Sequence, residues 1–385
     1  MRFASILRLA LLWVAPCACR AQRPIGPAPA SLQPRSTPGV VRVDTIAKGL
    51  SHPWGLEFLP DGRMIVTERD GRVRIVTLQG KVLPPLKNVP MVQAQGQGGL
   101  LDVALDPGFA QNRTIYLSYA EPGDDNTAGT AVARAKLSGD TALIGVRVIY
   151  QQQPKKRGGG HFGSRIVFQD SNTIFVTQGE RFNYRDEAQD QKSLLGKIVR
   201  VHTDGSIPRD NPFVGRSDAR AEIWSSGHRN MQGAALDSTG RLWTIEHGPA
   251  GGDELNHPEP GKNYGWPVIG YGVNYDGSRV GIGAVKDGIE QPVIYWDPVI
   301  APSGMAIYYG DRYGADWRGN IFVGSMNPGA LVRLVMSPAG TVAREERYLG
   351  ELNARIRDVK QGPDGFLYVI TDEGDGRIYR VVPAR

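Results

Sequence analysis

Apolar and polar residues alternate with a period of two along most of this chain, and the alternation breaks at turns built from Asp, Gly or Asn. Six segments share that grammar of strand, turn and returning strand. They are GLEFLPDGRMIVTERDGRVRIV from Gly55, LDVALDPGFAQNRTIYLSYAE from Leu101, SRIVFQDSNTIFVTQGE from Ser164, GAALDSTGRLWTIEHG from Gly233, GMAIYYGDRYGADWRGNIFVGSM from Gly304 and IRDVKQGPDGFLYVITDEGDGRIYRV from Ile356. Period-two alternation across a central Asp-Gly or its equivalent predicts an antiparallel hairpin. Hairpins recurring every 45 to 70 residues or so, with no long amphipathic helical pattern, predict an all-β fold: a six-bladed β-propeller with four-stranded antiparallel blades. Each blade then buries both faces against its neighbours, and closing the ring removes the open ends of the stack.

Three stretches carry the longer insertions: GGGHFG, GERFNYRDEAQDQKSLLGKI and GKNYGWPVIGYGVNYDG. Such insertions gather at one end of the central channel, where a site is expected. Ahead of the repeats, residues 22–42 are rich in proline and small residues and read as a linker or arm, so the propeller is expected over 43–385. Residues 1–21 combine Arg2 and Arg8 with the apolar run LALLWVAPCA and a small-residue exit at Ala21. That is the layout of a signal peptide, too short to span a bilayer. Export is therefore expected, to the periplasm in a Gram-negative source. Cys17 and Cys19 both fall in this leader, so no thiol is expected in the mature chain.

Charge narrows the partners. The chain carries +6, and removing the three leader arginines Arg2, Arg8 and Arg20 leaves +3. Basic and acidic residues are interspersed, and the one dense basic run, Lys155-Lys156-Arg157, is followed by three glycines. A nucleic-acid surface would need a broad basic face with aromatic platforms, and none is seen. No HExxH, paired cysteines or evenly spaced histidines point to zinc.

Candidate chemistry concentrates between residues 222 and 267. Arg229-Asn230 sets a cation beside an amide, His247-Gly248-Pro249 presents main-chain carbonyls at a turn, and Asp253-Glu254 places two carboxylates beside them. Such groups suit an anionic cofactor and a hard cation together. Elsewhere, His161 follows three glycines, where backbone can approach a ligand closely.

In order along the chain, HPWGLEFLPDGRMIVTER, GQGGLLDVALDP, GGGHFGSR, GERF, AQDQKSLLGKIVRV, DNPF, GHRNMQG, EHGPAGGDELN, NYGWP, APSGM and RIRDV resemble the soluble pyrroloquinoline-quinone (PQQ)-dependent aldose sugar dehydrogenases of the glucose/sorbosone dehydrogenase family. The resemblance runs from Val43 to Val382. It implies oxidation of an aldose at C1 to a lactone, with hydride passing to the quinone and electrons to an external acceptor. It makes His161 the general base and places Gln97, Arg229, Asn230, Tyr275, Arg355 and Arg357 around the tricarboxylated cofactor. Arg355 and Arg357 would face one side if 355–359 is a strand. Asn327 stands where relatives often carry a lysine directed at the quinone. One calcium would be held by the carbonyls of Gly248 and Pro249, a second by Glu254 and the main chain of Tyr264. Glu180, where the glucose-specialised branch has Asp, points to broad aldose specificity. Two other readings of the residues stay open: a calcium-dependent lactonase-type propeller hydrolase, and a non-catalytic propeller that binds a protein or glycan.

Overall fold

The computed structural model of the protein describes residues 34–384 apart from position 38. The expected leader and most of the expected arm lie outside them. Among the described residues, no helix is long and apolar enough to cross a membrane.

Six small sheets form the blades. Their innermost strands are Pro53–Phe58, Leu100–Leu105, Gly163–Phe168, Met231–Leu236, Pro302–Ile307 and Ile356–Gln361. Each packs against the next and the last packs against the first, so the ring closes. The clasp is formed by Val41–Leu50, antiparallel to Gly376–Pro383 at the outer edge of the sixth blade. The hairpin turns form as their residues dictate. At Asp61-Gly62 the glycine takes φ 84°, the Leu59 carbonyl accepts the Gly62 N–H at 2.8 Å, and the Asp61 carboxylate accepts the Arg63 N–H at 3.1 Å.

The third, fourth and sixth blades have the expected four strands, and the others depart from that number. The first stops at three, because beyond Val76 the chain runs through Pro84-Pro85, which cannot donate to a ladder; a Val76–Val82 bridge and the Leu83 and Leu86 N–H groups, donating to Ile75 and Val73 at 2.8 and 2.9 Å, tie the segment to the third strand without making a fourth. The second gains Lys156–Arg157 as an extra strand. The fifth gains Arg35–Ser36, parallel to its outer strand, so part of the arm is built into the ring.

The core is divided into slabs between adjacent blades. Leu59, Ile65 and Val73 meet Val103, Ile115 and Leu117 between the first and second, and Trp243 and Ile245 meet Met305, Ile321 and Val323 between the fourth and fifth. Period two explains how one strand serves two slabs. In Lys197–His202, Val199 and Val201 face the second blade while Ile198 faces the fourth. Each innermost strand also carries a register shift near its start, as between Gly163 and Ile166 or Ile356 and Asp358.

Candidate functional site

Because each innermost strand is antiparallel to the second strand of its blade, its start and the end of that second strand lie at one end of the ring. Gly163 pairs with Gln178, Met231 with Glu246 and Ile356 with Thr371. The sequence-predicted residues flank these positions: His161 and Glu180, Arg229, Asn230 and Gly248, Arg355 and Arg357.

His161 is 3% exposed. Its Nδ1 lies 3.0 Å from Glu180 Oε1, and its backbone N–H donates to Gln97 Oε1 at 2.9 Å. Burial lowers the imidazole pKa below its ordinary value, and the charges of Arg229 and Arg181 push the same way against the opposing pull of Glu180. The ring is thus neutral near pH 7. With Nδ1–H donated to the carboxylate, Nε2 keeps its lone pair as a base.

Arg181 and Phe182 follow Glu180. Arg181 is fully buried. Its guanidinium lies over the Phe162 ring at 3.8 Å and donates to the carbonyls of Gly160, Ala128, Lys156 and Gly158, tying down the loop that presents His161. Lys197, also fully buried, donates to the carbonyls of Glu187, Ala188 and Leu195 at 2.8–2.9 Å, and burial brings its pKa down to about 7. Arg181 and Lys197 were missed in the sequence, where each reads as an ordinary loop or strand cation.

A polar chain joins the predicted residues across blades. Asn230 Oδ1 accepts the Gly163 N–H at 3.1 Å and Gln232 Nε2 at 3.2 Å, while Gln232 Oε1 accepts Arg357 Nη1 at 3.1 Å. The pairing of Arg355 with Arg357 on one face of a strand is corrected here. The strand begins at Ile356 and bulges before Asp358, leaving Arg355 exposed and Arg357 buried. Arg357 is also neutralised by Asp372, which in turn contacts His52. Arg355 Nη1 reaches the Met326 carbonyl at 3.5 Å, and Asn327 lies exposed beside it at a cis Asn327–Pro328 bond.

Arg229 is buried and donates through Nη1 to the Gly248 carbonyl at 2.7 Å and through Nη2 to Tyr275 Oη at 3.3 Å. Tyr275 itself is 66% exposed. Behind Arg229 lies a cavity of ≈ 20 Å³, room for one water-sized body. Gly248, Pro249, Glu254 and Tyr264 all line it, together with Glu246. Glu246 and Glu254 are opposite one another in the ladder, and both accept from Asn256 Nδ2, at 3.0 and 3.1 Å. Burial, then the neighbouring Glu246 charge, raises the Glu254 pKa well above the carboxylate range. His228 stacks on Tyr264 at 4.9 Å and contacts Glu246 Oε1 at 2.9 Å.

These donor sets fit the expected ligands. The Nε atoms of Arg229 and Arg357 are buried without a partner, as is Asn256 Oδ1. Unsatisfied buried guanidinium N–H groups favour an anion, and two glutamates beside carbonyl oxygens favour a hard cation. Among the described residues no group of three His, Cys, Asp or Glu gathers as a metal cluster.

The sequence profile of the Glucose / Sorbosone dehydrogenase family matches residues 50–380. The chain is 46% identical over 354 residues to the aldose sugar dehydrogenase YliI of Escherichia coli K12, covering 90% of this chain and 94% of the relative. The apo-form crystal structure of the soluble aldose sugar dehydrogenase from E. coli superposes with a TM-score of 0.86 at 45% identity, covering 89% of this chain and 99% of the other. The PQQ-bound aldose sugar dehydrogenase from Streptomyces coelicolor superposes with a TM-score of 0.73 at 30% identity, covering 89% and 97%.

Proposed function

The chain belongs to the glucose/sorbosone dehydrogenase family, and from that premise we propose that it oxidises aldose sugars at C1 to lactones, dependent on PQQ and calcium. The buried His161–Glu180 pair carries the reading, because a neutral imidazole with Nδ1 fixed by a carboxylate has Nε2 free to take the anomeric hydroxyl proton. When bound, the quinone supplies the two-electron acceptor for the C1 hydride and calcium the Lewis acid that polarises it. Arg229, Arg357 and Asn230 would hold the quinone carboxylates, with Gln97 and Tyr275 at its rim and Arg355 and Asn327 on the opposing loops. The carbonyls of Gly248 and Pro249 would hold the calcium, and Glu254 with the Tyr264 main chain a second one. Electrons would leave to an external acceptor. The leader composition supports export, periplasmic in a Gram-negative source.

The test is to add PQQ to the purified protein with and without calcium and to follow the quinone absorbance on adding glucose, xylose or maltose. Aldose-dependent reduction that is lost in EDTA and restored by calcium is expected. Tight quinone binding with no reduction by any aldose would overturn the reading.

A further inference from the structure

Phe182 stands out among the large apolar side chains of the site end. It is 45% exposed although its neighbours Glu180 and Arg181 are fully buried. Its backbone and that of Arg181 both sit in the left-handed region, at φ 63° and 64°, which is unfavourable for residues with a Cβ and persists only where surrounding contacts impose it. Those contacts are present. Arg181 is anchored to four carbonyls, and the Phe182 N–H donates to Glu180 Oε2. The other oxygen of that carboxylate holds His161 Nδ1. One glutamate therefore fixes the base and the phenyl ring in a single rigid unit. The Phe182 ring meets the His161 ring edge-on at 5.0 Å and 76° and lies nearly parallel to Tyr275 at 6.2 Å and 23°. Gly160 leaves room for it, since a Cβ there would stand 3.0 Å from the Phe182 Cβ.

We infer that Phe182, with Tyr275 beside it, is a stacking platform for the apolar C–H face of the substrate's pyranose ring and determines how tightly aldopyranoses bind. The inference rests on the aldose reading above. A pyranose offers a flat C–H face rimmed by hydroxyls, and an exposed rigid aromatic ring takes that face while leaving the hydroxyls to polar partners. Seated there, the sugar is held against the ring that touches His161, which restricts where its anomeric hydroxyl can lie relative to Nε2. A ring serving only to prop His161 would need neither to remain 45% exposed nor to stack beside Tyr275.

The experiment is steady-state kinetics of the PQQ- and calcium-loaded protein on glucose. Phe182→Ala is expected to raise KM about threefold to tenfold with kcat within about twofold of wild type, and Phe182→Trp to restore KM. An unchanged KM in the alanine variant, or a loss confined to kcat, would overturn the platform. Should the wild type oxidise no aldose, the dehydrogenase reading fails by itself. The platform is then decided by the emission of Phe182→Trp titrated with glucose: a saturable change absent from wild type upholds it, and no change overturns it.

Discussion

His161, the base of the proposed reaction, is held by two neighbours. Its backbone is held by Gln97 and its Nδ1 by Glu180, so the ring can neither rotate nor change tautomer freely. His161→Gln should leave quinone affinity near wild type and lower turnover by about 10²–10⁴. Equal losses in both, measured by quinone titration and by kcat, would remove the assigned role. The pH dependence follows from burial. The imidazole titrates below its ordinary value of about 6.5, and only its neutral form accepts a proton. Rate is therefore kept above that pKa and lost as pH falls through it, which puts the acid limb of kcat/KM below about pH 6.5. Glu180 opposes that lowering, so Glu180→Gln should move the limb to still lower pH and reduce kcat by about 10²-fold as the tautomer is released. A pH profile with an unmoved limb would contradict the pairing.

Loops as well as strand ends carry the candidate site, and two buried cations give two of those loops their shape. Arg181 closes the 156–161 loop against the second blade, and Lys197 gathers the 187–195 loop around its ammonium. Desolvation disfavours both charges, bringing Arg181 to about 10, yet without its guanidinium the buried Ala128 carbonyl and the half-buried carbonyls of Lys156, Gly158 and Gly160 would lose its hydrogen bonds. The unmade hydrogen bonds decide the sign. Arg181→Met should destabilise the fold by about 2–4 kcal/mol, seen in the denaturant midpoint, and should speed proteolysis between residues 155 and 161. A midpoint within experimental error of wild type would show that solvent replaces the guanidinium.

For the whole molecule, the ring is joined along its axis as well as at its clasp. Arg165 in the third blade pairs with Asp102 in the second at 3.0 Å and with Asp358 in the sixth at 3.1 Å, all three buried. Glycines make the room: a Cβ at Gly304 would stand 1.9 Å from Asp358 Oδ1. Arg165→Met would remove the paired guanidinium from two buried carboxylates, leaving only the Lys360 charge near them, and should cost about 3–5 kcal/mol in urea unfolding, a far larger loss than an exposed arginine gives. The clasp predicts a sharp boundary for truncation. A chain beginning at Val41 retains the strand paired with Gly376–Pro383 and should unfold cooperatively. One beginning at Ser51 lacks Ala47 and Leu50, exposes the edge of the sixth blade and uncovers the slab around Ile370 and Ile378, and should lose that cooperativity by calorimetry.

Strand, turn and repeat are local properties, and they were legible because period-two alternation and Asp-Gly turns fix a hairpin whatever surrounds it. The end of the ring that carries the site was legible too, since insertions mark it, and His161, Arg229 and the Gly248-Pro249 turn stand there as their motifs indicate. Partnerships across blades were not. That Arg165 sits between Asp102 and Asp358 depends on which blades are neighbours and on a contact between residues 193 positions apart, while Glu180 facing His161 and Asp372 matching Arg357 depend on how the loops at the ends of the third and sixth blades pack. Parity misled at Arg355 and Arg357 because the bulge after Ile356 interrupts the alternation at the axis. Adjacent residues such as Arg181 and Phe182 look alike as loop residues, and only the packed structure buries one and exposes the other. Hydrogen bonding to four carbonyls offsets the cost of taking the arginine out of water, while the phenyl ring, with its backbone in the left-handed region, stays 45% exposed.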